Sequence, residues 1–275
     1  MARGKLEVGV NVGGMPILLQ TTDAAFYELL VQRYQGFLSS FVHPQFEFEI
    51  ELTETPAADP DADVCVTRVG DDWQFRRGDF FAQWNPESGH GTVRQSANPY
   101  AIDSVLRIVH TLLLAREGGF LLHAASAVRD GEAHIFTGRS GAGKTTLSRM
   151  APADVTLLTD EVSYVRKSDH GYTAFGTPFA GELAKAGANI SAPLSAVYLL
   201  VQGPENRLEP MDEAESVRTL MRNILFFAQD EATVQSVFKS ACEFAGKVPM
   251  YRMIFTRSSD AWGVIGAMKQ VEVMA

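Results

Sequence analysis

Cysteine is almost absent from this 275-residue chain: Cys65 and Cys242 are the only two. Thiols so far apart offer neither a metal-ligand spacing nor a disulfide framework, which points to a reducing compartment. Long hydrophobic runs are missing too. No stretch approaches the roughly 18 apolar residues of a membrane helix, and the opening Met1-Ala2-Arg3-Gly4-Lys5-Leu6-Glu7 has no apolar leader segment. A cytoplasmic protein without a membrane partner is therefore expected. Positive charge is in the minority, with 24 Lys and Arg against 33 Asp and Glu and a net charge of −9. That balance argues against a general nucleic-acid binder. Repeats and low-complexity runs are also absent. What remains is ordinary globular composition, 46% hydrophobic and 21% charged, in a chain long enough for one large domain or two smaller ones.

In the first hundred residues, 6–12 and 16–20 read as strands about a Gly13-Gly14 turn. Thr22 reads as the cap of a helix over 23–37, with Phe26, Leu29, Leu30 and Phe37 near one face. The run Phe46-Glu47-Phe48-Glu49-Ile50-Glu51-Leu52 alternates without a break. It predicts a half-buried strand whose glutamates form a solvated face rather than a metal cluster. Residues 53–63, rich in proline and aspartate, read as a surface loop that lacks the glycine and bidentate glutamate of a calcium site. Short strands are expected at 64–69, 73–76, 80–84 and 92–94, and His43 and His90 fall in turns without a partner at ligand spacing. Residues 1–99 thus read as an α+β module with no catalytic signature. Asn98-Pro99 marks a boundary, and a second domain over 100–275 opens with a helix at 101–116 in which His110 is structural.

The chemistry lies in that second domain. His134-Ile135-Phe136-Thr137 is an apolar strand, and it runs into Gly138-Arg139-Ser140-Gly141-Ala142-Gly143-Lys144-Thr145-Thr146 and the start of a helix. The loop fits G-x-x-x-x-G-K-[ST] at every fixed position. Glycines let such a loop curl until its backbone N–H groups form a nest for phosphate oxygens, and the helix adds its positive N-terminal end. Lys144 can reach the β- and γ-phosphates of ATP, and the Thr145 hydroxyl can ligate Mg²⁺. Pro152 keeps the helix short. A second strand, 155–158, then ends in Thr159-Asp160-Glu161. A carboxylate at the end of a buried strand beside a phosphate loop is well placed to hold Mg²⁺. Upstream, His123 lies in a strand that forms a hairpin with the loop strand.

Together Leu122-His123, the nine-residue loop, Leu158-Thr159-Asp160-Glu161 and Gly176-Thr177-Pro178-Phe179 resemble the catalytic domain of HPr kinase/phosphorylase, over about residues 100–275. That family shares its nucleotide site with ATP-dependent phosphoenolpyruvate carboxykinases. The resemblance implies an α/β fold with a P-loop kinase core of this type. It implies Lys144 and Thr145 on ATP and Mg²⁺, Asp160 and Glu161 as base and metal ligand, His123 near the transferred phosphoryl group, and a homo-oligomer. Two departures stand out. Glu161 replaces the usual second aspartate. Residues 181–190 lack the arginine associated with phosphorolysis, and the nearby Lys185 does not reproduce a bidentate guanidinium.

The function expected is an ATP- and Mg²⁺-dependent kinase that phosphorylates a hydroxyl, such as a seryl group, on a protein, peptide or small molecule. The alternative is a nucleotide-dependent regulatory protein with slow hydrolysis and no acceptor; a base aimed at an acceptor separates the two. Asp160, which ends the strand beside the loop and is the shorter acid, takes that role, since strand alternation turns only one of the pair toward the γ-phosphate. Glu161 or water then completes the metal shell with Thr145. Further along, a hairpin is expected around 169–171, a strand at 196–201, helices at 213–228 and 231–245, a strand at 248–255 and a helix at 261–271. Phe226-Phe227 reads as core.

Overall fold

A computed structural model describes residues 4–54, 63–256 and 259–265. It is a mixed α/β protein with two sheets and few helices. By backbone contacts the chain divides into two compact units, Met1–Arg116 with Phe226–Val234, and Glu117–Leu225 with Gln235–Ala275.

The first unit is built on seven strands: β1 (Leu6–Val12), β2 (Met15–Thr21), β3 (Phe46–Leu52), β4 (Cys65–Val69), β5 (Asp72–Arg77), β6 (Phe80–Trp84) and β7 (His90–Gln95). Their order is β1-β2-β3-β7-β6-β5-β4, with β3 third and parallel to both neighbours. Phe46, Phe48 and Ile50 are buried. Glu47, Glu49 and Glu51 take the other face and pair with His90, Lys5 and Arg94. The alternation of β3 therefore separates core from solvated face, as its sequence predicts. Helix α1 (Ala24–Arg33) is capped by Asp23 rather than Thr22, whose place one residue upstream leaves it outside the cap position; Asp23 Oδ1 accepts from Phe26 N at 2.8 Å. The helix stops short of Phe37 and tightens into a 3-10 turn that contains Gly36, a poor helix former. Helix α2 (Pro99–Glu117) takes Pro99 as its first residue, where a missing N–H costs nothing. Asp103 of α2 accepts from Arg33 and, at 2.6 Å, from the Tyr34 hydroxyl, joining α1 to α2 through a buried carboxylate. Of the expected surface loop at 53–63, residues 55–62 lie outside the described residues.

The second unit contains β8 (Phe120–Arg129), β9 (Glu132–Thr137), α3 (Lys144–Arg149), β10 (Thr156–Thr159), β11 (Val162–Ser168), β12 (Gly171–Phe175), β13 (Ser191–Gln202), β14 (Arg207–Pro210), α4 (Glu213–Asn223), β15 (Ile224–Leu225), most of α5 (Glu231–Ala245) and β16 (Met250–Phe255). Two long strands change partners part-way. β8 pairs with β11 through His123 and with β9 from Ala124 onward. β13 pairs first with β12, then in parallel with β9 and β16. The pairings β8–β11–β12–β13–β9–β8 thus close into a ring. Phe120, Leu122, Ile135, Val197 and Phe244 form one core cluster. Phe136, Tyr198, Phe255 and Trp262 form a second, which takes in Leu147 of α3.

Two expectations change here. The helix expected over 213–228 ends at Asn223, because Ile224-Leu225 pairs as β15 with Leu122 and Leu121, on the side of β8 away from β11. Pairing of a β-branched residue beside an open strand outweighs continuation of the helix. In the expected final helix, residues 259–264 form a 3-10 helix and 266–271 lie outside the described residues. Among the described residues no helix is long and apolar enough to cross a membrane.

Candidate functional site

The glycine-rich loop connects the carboxyl end of β9 to α3. Gly143 occupies the helix N-cap at φ +113, and a Cβ there would lie 2.5 Å from Phe255 Cζ, so this position accepts no side chain without displacement. The rest of the loop is tied down locally. Ala142 N donates to Arg139 O at 3.0 Å, and Gln202 Nε2, from the end of β13, donates to Gly141 O at 2.9 Å. At six residues α3 is too short to build a large macrodipole.

Lys144 opens α3 and folds back over the loop, where its Nζ donates to Gly138 O at 3.0 Å. Burial pulls its ammonium below the ordinary lysine pKa, while the carboxylates of Glu182 and then Glu161 push it back up. The acids arrive from another element. Thr159 Oγ1, at the end of β10, accepts from Glu161 N and Val162 N at 3.2 Å, which bends the chain sharply from β10 into β11. Asp160 and Glu161 therefore sit in a bend and not on a strand. Both line the same cleft, against the expectation that alternation would turn one of them away. The loop strand and the acid strand are not neighbours either; β8 lies between them, antiparallel to each. At the point where β8 changes partners, Ala124 N donates to Glu161 O at 2.9 Å and His123 O accepts from Thr137 Oγ1 at 3.2 Å. That joint fixes His123 between the loop strand and the acidic bend.

These elements enclose a cleft of about 490 Å³. Of the residues picked out by sequence, it is lined by His123, Asp160 and Glu161, and by Ser140, Gly141, Gly143, Lys144, Thr145 and Thr146 of the loop. Gly138, Arg139 and Ala142 belong to the loop but not to the lining; Arg139 is exposed. Three more lining residues were given no site role by the sequence: Ala180, and Gly181 and Glu182 at the head of the 181–190 segment. Asp160 holds them, its Oδ1 accepting from Gly181 N at 2.9 Å and its Oδ2 from Leu183 N at 2.8 Å. The upstream Gly176-Thr177-Pro178-Phe179 run anchors this segment, with Thr177 N donating to Leu158 O and Thr177 Oγ1 to Val162 O, both at 3.1 Å. Among the described residues no three or more His, Cys, Asp or Glu side chains gather to hold a metal by themselves. Two smaller grooves, about 290 and 370 Å³, lie on the first unit's sheet around Lys5, Gln20, Glu49 and Thr92. They hold surface ion pairs and no phosphate-type loop.

Fold and site define a mixed α/β protein whose second unit presents a phosphate-loop sequence beside an acidic bend. The family model described as SynChlorMet cassette protein ScmC matches residues 95–269, well over half of the chain. The chain belongs to the ScmC family. This corrects the assignment to the HPr kinase/phosphorylase family, which rested on short runs around the loop and the acids; a loop of this pattern is common to many nucleotide-binding proteins. No curated protein matches the chain.

Proposed function

We propose that the chain is an ATP- and Mg²⁺-dependent phosphotransferase with a P-loop kinase core, acting on a hydroxyl acceptor. The supporting observation is the convergence of three chain segments on one cleft: Lys144 and Thr145 from the loop, Asp160 and Glu161 from the bend, and His123 from β8. The loop would hold the phosphates, Lys144 would exchange its bond to Gly138 O for a phosphate oxygen, and His123 would offer its imidazole to another. Thr145, with Asp160 or Glu161, would hold Mg²⁺, which characteristically keeps only one or two protein ligands beside phosphate and water. When bound, the ion neutralises charge on the phosphates. Transfer to a hydroxyl also needs a carboxylate to take its proton. Each Asp160 oxygen is already bonded to a backbone amide. That favours Glu161 for the base, the reverse of the preference drawn from strand alternation.

The test is γ-phosphoryl transfer from MgATP to a panel of seryl peptides and small hydroxyl compounds, with ADP release followed in parallel. Glu161→Gln should keep MgATP affinity within about tenfold and lose on the order of 10²–10⁴ in transfer. If Glu161→Gln and Asp160→Asn both match wild type, the phosphotransferase reading loses its catalytic centre.

A further inference from the structure

We propose that Asp160 is a positioning residue, and that Glu182, which it places through the turn at residues 181–184, makes nucleotide binding in the cleft depend on a divalent cation. The inference rests on the nucleotide reading above and names a residue that reading does not use. Asp160 is only 6% exposed, and each of its oxygens accepts from a backbone amide, Oδ1 from Gly181 and Oδ2 from Leu183. Ala184 N donates to Gly181 O at 3.0 Å, closing a turn with Glu182 and Leu183 at its centre. The turn is seated on the acids without spare room: a Cβ on Gly181 would lie 2.8 Å from Glu161 Cβ and 3.0 Å from Asp160 Oδ2. Ala184 holds a left-handed φ of +51, a conformation a non-glycine residue keeps only where its surroundings require it.

The consequence is electrostatic. Seated in this way, the turn adds Glu182 to the wall that Lys144 and Thr145 also line. A carboxylate beside a triphosphate repels it unless a cation lies between them. With Asp160, Glu161 and Glu182 set against Lys144, the cleft should accept magnesium-bound ATP and discriminate against the bare tetra-anion.

Calorimetric titration of ATP in EDTA and in Mg²⁺ tests this. Glu182→Gln should narrow the preference for MgATP by about tenfold, mainly by tightening metal-free ATP; damage to the fold would not produce such a gain. Gly181→Ala keeps every charge but unseats the turn, so it should narrow the preference similarly. Combined with Glu182→Gln it should add nothing further. Hydrogen exchange reads the latch without any nucleotide: Asp160→Ala, which removes both acceptors, should expose the Gly181 and Leu183 amides while Glu182→Gln leaves them protected. A wild-type preference retained in Glu182→Gln, or additive effects in the double variant, overturns the electrostatic role. Unchanged protection in Asp160→Ala overturns the latch. A wild-type protein that binds neither form of ATP overturns the nucleotide reading and the cation dependence with it, and the exchange result then decides the latch alone.

Discussion

Replacing Gly143 with alanine tests the loop conformation on which the site depends. Two penalties combine. An alanine held at positive φ costs about 1–2 kcal/mol, and its Cβ at 2.5 Å from Phe255 Cζ adds overpacking against a buried ring, typically about 1–3 kcal/mol. A total near 3 kcal/mol corresponds to a fall in Tm of roughly 6–12 °C for a domain of this size. Gly141→Ala is the control: it also sits at positive φ, +77, but its Cβ would meet nothing within 4 Å, so only the strain of about 1–2 kcal/mol applies. Phe255→Leu shortens the offending ring. In a double-mutant cycle on thermal denaturation, Gly143→Ala and Phe255→Leu together should cost about 1–3 kcal/mol less than the sum of the single variants. MgATP affinity should fall further in Gly143→Ala than in Gly141→Ala. Equal melting of the two glycine variants with no coupling to Phe255 would refute the packing described for the loop.

Two further expectations concern stability. Asp103→Ala leaves Arg33 and the buried Tyr34 hydroxyl without their acceptor, at a cost of about 3–5 kcal/mol; thermal denaturation checks it, and a loss below about 1 kcal/mol would contradict a structural role for the carboxylate. His134 is buried, and that burial, with Arg129 nearby, pushes its pKa from 6.5 down to about 4. Because the folded pKa is the lower one, the stabilisation from the neutral ring is complete above pH 6.5 and is lost as pH falls toward 4, up to about 3 kcal/mol in all. His134→Gln should remove that part of the pH dependence of Tm, and an unchanged slope between pH 6.5 and 4 would show that His134 is not its source.

The site was legible in the sequence where its chemistry is local. Nine consecutive residues specify the loop and four the acidic bend, and His123 follows from a hairpin of ordinary length. The 181–190 segment was marked in the sequence only by its missing arginine; the role of Glu182 was not legible, because the β11–β12 hairpin separates it from Asp160 and no periodicity marks a turn held by a distant carboxylate. The bend after β10 was hidden for a related reason: the Thr159 hydroxyl, not the hydrophobic pattern, ends the strand. In the fold, β3 was read correctly because a solvated face imposes period two. The partner switching of β8 and β13 was not, since a strand's register is set by residues far along the chain. The end of α4 was missed because the pairing of Ile224-Leu225 with β8 is tertiary. Family assignment went astray because a phosphate loop constrains only a few positions and says little about the chain around them.

Both proposals above require that the cleft at Lys144 bind a nucleoside triphosphate through its phosphates. Calorimetric titration of MgATP into the wild-type protein and into Lys144→Ala tests it most directly, with far-ultraviolet circular dichroism on both to confirm equal folding. Saturable one-site binding to wild type and the loss of most of that affinity in the variant are expected. Equal affinity in the two proteins, or no binding to the wild type, would contradict it.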